Sequence, residues 1–171
     1  ALPAGGGLGG GEGTDAGFLP DMTLADGAVV DGGNWRLRSI HTPGHLGNHL
    51  CFAADLPGGA VIFTGDHVMA WSTSLVSPPD GDMGAFLRSL DRLGQEEAGR
   101  YYPAHGGPVG NPSGRLSELT RHRRSREAQI LAALAKDPSN ASRIARRIYD
   151  TTPPALMPAA EAHTPYGMTE V

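Results

Sequence analysis

The sequence predicts an α/β chain, β-rich in its first half and helical in its second. Up to residue 65, short alternating or continuous apolar runs are broken by Gly, Pro, Asn and Asp, which is strand-and-turn chemistry. From Met83 onward the apolar residues recur mainly at helical spacing. The 25 glycines and 14 prolines require many loops, and 171 residues of which 39% are hydrophobic suit one domain with a sizeable core.

In order, strands are expected at about 28–31, 35–40, 49–54 and 60–65. Met83, Phe86, Leu87, Leu90 and Leu93 share one helical face, with Gly94 as the stop. A last strand is expected at 100–103. Ser113 precedes a long helix over about 114–135, closed by Asp137-Pro138. Ser139 or Asn140 can cap another helix over 141–149, which Pro153-Pro154 ends. Ala1 to Pro20, with its run of glycines, cannot form a packed element. The expected division is a Gly-rich flexible segment over 1–21, a main domain over 22–135 and a helical extension over 136–171.

The chemistry concentrates at strand ends. His41, His45 and His49 fall within nine residues around the turn Pro43-Gly44, between two strand-like runs. Neutral imidazole is the commonest ligand of divalent transition metals, and a rigid turn sets ring positions in advance. Two later apolar strands run into Gly65-Asp66-His67 and into His105-Gly106-Gly107, each with a glycine that lets the backbone turn or approach closely. One composite site is expected from these ends.

In that order, Thr42-Pro43-Gly44-His45, Thr64-Gly65-Asp66 and Pro103-Ala104-His105-Gly106 resemble motifs of the metallo-beta-lactamase-fold hydrolases. Arg121 to Leu131 and Tyr149 to Pro154 look like the winged-helix-like extension of the branch that holds lactamase-like ribonucleases and glyoxalase-II-like thioesterases. The resemblance runs from about residue 22 to about residue 158. It implies the C-terminal half of an αββα sandwich, followed by a helical, truncated winged-helix-like extension that lacks apolar periodicity over Glu161 to Val171. It also implies a zinc-dependent hydrolase with two ions, His45 ligating the first, His105 the second, and Asp66 bridging both as the catalytic carboxylate. Two cations acidify a shared water enough to make it a nucleophile near neutral pH.

A small-molecule ester or thioester is the favoured substrate on this resemblance, and an RNA phosphodiester the second. The family's His-x-His-x-Asp-His motif has no counterpart, because no histidine precedes His41, and catalytic zinc takes about three protein ligands. The chain is therefore expected to hold metal weakly, either as a fragment of a longer enzyme or as a non-catalytic binding or assembly module. A half-sandwich leaves sheet surface to be covered, so self-association or pairing with a missing N-terminal half is expected. Leu46 stands where the family usually has a hydroxyl residue, which removes a hydrogen bond near the metal.

The remaining residues have plainer readings. His41 and His49 are expected to bond to the turn backbone behind the ligands. His67 either lines the substrate cleft or points away from it, and Trp71 is either a pocket wall or a core residue under its loop. Arg121 to Arg126 is read as a solvated helix face, with Arg123 paired to Glu127, rather than a nucleic-acid patch, in keeping with the net charge of -4. Cys51 is a buried small residue, and a lone cysteine makes no intramolecular disulfide, which suits a reducing, cytoplasmic setting. No signal peptide or membrane span is visible.

Overall fold

Five strands and three helices follow one another as β1 (Val29–Asp31), β2 (Arg36–His41), β3 (Leu50–Leu56), β4 (Gly59–Gly65), α1 (Met83–Leu93), β5 (Arg100–Pro103), α2 (Pro112–Lys136) and α3 (Ala141–Ile148). The computed structural model describes residue 17 and residues 19–77, 80–136 and 141–148. Most of Ala1 to Pro20, residues 137–139 of the expected linker, Pro153-Pro154 and the winged-helix-like end lie outside the described residues.

The strands form one sheet in sequence order, β1-β2-β3-β4-β5. The first three pairings are antiparallel hairpins, whereas β5 returns parallel to β4 after a crossover through α1. This topology fixes direction. Strands β2, β4 and β5 all run the same way, so the residues that follow them emerge at one edge of the sheet.

Alternation along the strands sorts the two faces. Ile40 pairs with Cys51 in register, and Ile62 joins them in a core with Val68, Val76, Phe86, Leu90, Leu93, Tyr101, Leu116 and Leu119. Burying each large apolar side chain of this kind contributes roughly 1.5–3 kcal/mol. The alternate residues form the other face, where Phe52 pairs with Phe63, and Phe63 stacks on Tyr102 at 5.6 Å between ring centroids while remaining 40% exposed.

Helix α1 starts where Asp82 Oδ1 accepts from the Ala85 amide at 2.6 Å and stops at Gly94, as its spacing predicts. Helix α2 starts earlier than expected. Pro112 occupies its first position, and Asn111 Oδ1 accepts from the Gly114 amide at 3.1 Å, so Asn111 takes the place expected of Ser113. Helix α3 buries Ile144 against Ile130 and Ala133 of α2. Among the described residues, no helix is long and apolar enough to cross a membrane.

Candidate functional site

The site is built on the shared strand edge. Parallel pairing sets Gly65 opposite Pro103, and the Ala104 amide donates to the Gly65 carbonyl at 2.9 Å. The next residues along, Asp66 and His105, are thereby brought together, with His105 Nε2 3.3 Å from Asp66 Oδ1. That oxygen is shut off from solvent and accepts no hydrogen bond. The two atoms are at ion-pair distance without hydrogen-bond alignment, so a buried carboxylate lone pair lacks its ordinary compensation.

The turn after β2 organises the histidines. His41 Nε2 lies 2.9 Å from the Gly47 carbonyl, a bond to the turn backbone as expected. His49 departs from expectation, because its Nδ1 bonds a side chain, Thr42 Oγ1, at 2.8 Å. The other edge of the His49 ring rests on Gly65, where a Cβ would stand 2.7 Å from Nε2. Burial, reinforced by repulsion from His45, pushes the His49 pKa down to about 4, so the ring is neutral at physiological pH.

His45 sits at the tip of this turn. Its Nδ1 lies 2.5 Å from the Leu75 carbonyl, which can only accept, so Nδ1 carries the proton and Nε2 presents a lone pair. Its ring centroid is 6.4 Å from that of His49. The loop after Asp66 thus reaches back to orient a histidine of the first turn.

His67 lines no cleft. It is fully buried, 4.5 Å from the Phe86 ring and 5.7 Å from His49, and neither ring nitrogen has a well-aligned partner, although the Phe86 backbone lies nearby. Burial and then its neighbouring histidines hold its pKa near 3. Trp71 is 74% exposed and stands against Gly106, the residue after His105, which excludes the core reading. Cys51 is buried as expected, its thiol pushed up to about 12 by burial.

The basic run holds the largest surprise. Arg123 is not on a solvated face; it is 8% exposed, donates to the Ser74 carbonyl and lies 5.2 Å from the centroid of the Phe86 ring. Ser74, which the sequence did not single out, donates through Oγ to the Asp66 and His67 carbonyls. One signal was available for Arg123. Leu116, Leu119 and Arg123 follow at spacings of three and four, so the arginine continues the apolar stripe of α2.

Asp66 and His105 make a donor pair, and His45 offers a bare nitrogen from the neighbouring turn. Among the described residues no three His, Cys, Asp or Glu side chains come close enough together to hold an ion. The described residues therefore fit part of a metal centre and not a complete one.

Comparison with known proteins agrees with this architecture. The family model of the metallo-beta-lactamase superfamily matches residues 5–105. The chain is 33% identical over 115 residues to the lactamase-like protein nscB of Arthroderma gypseum, covering 67% of this chain and 35% of that one. It is also 33% identical over 122 residues to the atrochrysone carboxyl ACP thioesterase AgnL7 of Paecilomyces divaricatus, covering 71% and 37%. A metallo-beta-lactamase family protein from Thermus thermophilus superposes with a TM-score of 0.75 at 28% identity, covering 87% of this chain and 48% of that one. A beta-lactamase domain protein from Burkholderia ambifaria gives 0.77 at 22% identity, covering 88% and 47%, a likeness of fold alone. The chain thus spans about a third of the length of these curated relatives and about half of these solved ones. By the extent of the family match and the fold that carries it, the chain belongs to the metallo-beta-lactamase superfamily.

Proposed function

We propose that this chain carries the His45, Asp66 and His105 part of the active site of a zinc-dependent hydrolase acting on an ester or thioester. The observation that carries this reading is the Asp66–His105 pair, a buried carboxylate oxygen with no hydrogen bond facing an imidazole nitrogen at 3.3 Å. Such a carboxylate oxygen is poorly satisfied alone and suited to a cation, and carboxylate with imidazole is a donor set that zinc accepts. Asp66, with His45 and His105, would hold the zinc, which would supply an activated water as nucleophile when bound.

What the present residues do is hold and orient. Thr42 and Gly65 seat the neutral His49 behind the turn, Leu75 fixes the tautomer of His45, and Trp71 forms one wall beside Gly106. An ester or thioester is preferred to an RNA phosphodiester because relatives from Paecilomyces divaricatus and Passalora fulva, at 33% and 34% identity, are named as acyl carrier protein thioesterases. The sheet face on which Phe63 is 40% exposed beside Phe52 and Tyr102 is assigned to self-association of the isolated chain. Light scattering at micromolar concentration should read a dimer or larger, and a stable monomer would contradict that assignment.

The test of activity uses the protein expressed from its complete reading frame, with nitrophenyl ester and acyl thioester probes. Turnover should require zinc and fall to background in Asp66→Asn. The 171-residue chain should match its own His45→Ala/His105→Ala control. Turnover indifferent to Asp66→Asn, or cleavage of RNA without cleavage of either ester, would overturn the reading.

A further inference from the structure

We infer that helix α2 is a positioning element of the site, with the buried Arg123 as its key residue and Arg115 as its second anchor. The inference rests on the proposed function only for its catalytic consequence; its structural part stands on contacts alone.

The segment from Asp66 to Ser77 has no regular secondary structure, yet it touches all three candidate donors. Ser74 Oγ donates to the Asp66 carbonyl, the Leu75 carbonyl accepts from His45 Nδ1 at 2.5 Å, and the Ala70 amide donates to the His105 carbonyl at 3.3 Å. A segment without its own ladder needs an outside scaffold to hold such contacts. Helix α2 supplies it. Arg115 donates through Nε to the Met69 carbonyl at 2.9 Å and through a second nitrogen to the Ser72 carbonyl. Two turns later, Arg123 donates to the Ser74 carbonyl.

Arginine suits this work. Its rigid fork of five donors can grip carbonyls that diverge from one another, and its flat cation can lie over an aromatic ring, as Arg123 does over Phe86. Burying a charge is costly unless it is partnered, so the position is not one that packing alone would fill with arginine. The chain of contacts runs Arg123 to Ser74, from Ser74 to Asp66 on one side, and through the adjoining Leu75 to His45 on the other. Displacing Arg123 should therefore free His45 to change tautomer.

That tautomer is a readout independent of hydrolysis and of metal. Nitrogen-15 correlation spectra of the metal-free chain at about pH 8, where imidazoles are neutral, should show His45 protonated at Nδ1. In Arg123→Met the signal should move to a mixture with Nε2 protonated, and in Arg123→Lys, which keeps charge but loses the fork, it should move partway. Leu119→Ala, a core truncation on the same stripe, should lower thermal stability and leave the tautomer unchanged. In the complete protein, Arg123→Met should lower kcat about tenfold with KM little changed, the size expected for a group behind the ligands.

An unchanged His45 tautomer in Arg123→Met overturns the proposal whatever the enzyme does. Should that variant not fold, an unchanged tautomer in Arg123→Lys and Arg115→Met does the same. A shifted tautomer in a protein without any esterase activity sustains the positioning role and contradicts only the proposed function.

Discussion

The turn Thr42 to His49 and the loop from Asp66 to Ser77 both present residues to the same edge, but they differ in how much of their bracing is local. The turn has bracing of its own, with His41 on Gly47, Thr42 on His49 through both side chain and backbone, and the Gly44 amide on the Leu46 carbonyl. Ser89 Oγ on the Pro43 carbonyl and the Asp82 amide on the Gly44 carbonyl add contacts from α1 and its start. The loop is braced largely from afar, by Arg115 and Arg123 from 43 to 49 residues away. A locally braced element survives the loss of a distant contact, whereas a remotely braced one moves when its anchor is cut. Cutting that anchor should loosen the loop and, through the Leu75 carbonyl, the His45 ring, while leaving the rest of the turn in place.

The largest effect is expected where the turn meets α1. Gly44 has φ +140°, and a Cβ there would lie 2.3 Å from the Phe86 Cα, while its carbonyl accepts from the Asp82 amide at 2.9 Å. Gly44→Ala adds backbone strain to a clash with helix backbone, costing on the order of 3 kcal/mol or more. Gly58→Ala, where a Cβ meets nothing within 4 Å, should stay within about 0.5 kcal/mol. Urea unfolding of the two variants checks this, and similar midpoints would mean that the turn is not docked on α1 as described.

A smaller effect is expected from pH. His49 and His67 have folded pKa values of about 4 and about 3 against an ordinary 6.5. The unfolded chain then binds more protons than the folded one between these values, so stability is full above about pH 6.5 and falls as pH drops toward 4 and 3. His67→Leu should flatten part of that slope, measured as the urea midpoint at about pH 7.5 and about pH 5. An unchanged slope would show that His67 titrates alike in both states.

The turn was legible because its information is local. Three histidines around Pro43-Gly44, an apolar strand on either side, and glycines beside Asp66 and His105 are features of contiguous residues, and strand direction does the rest. The bracing of the loop was not legible. Nothing near Ser74 or Leu75 marks the hydroxyl that binds Asp66 or the carbonyl that binds His45, since both depend on packing across the sheet edge. Arg123 was misread because a basic run suggests solvent, although its place after Leu116 and Leu119 put it on the buried stripe. Trp71 illustrates the converse, a large aromatic that composition would bury and that Gly106 instead seats at the surface.

On the proposed function, the described residues offer zinc a prepared but incomplete set of donors. Elemental analysis of the purified 171-residue chain after exchange into zinc-containing buffer and desalting tests it most directly. The account predicts well under one zinc per chain, with Asp66→Ala reducing even that, because Asp66 supplies the buried oxygen facing His105. Two tightly held zinc ions per chain would contradict it.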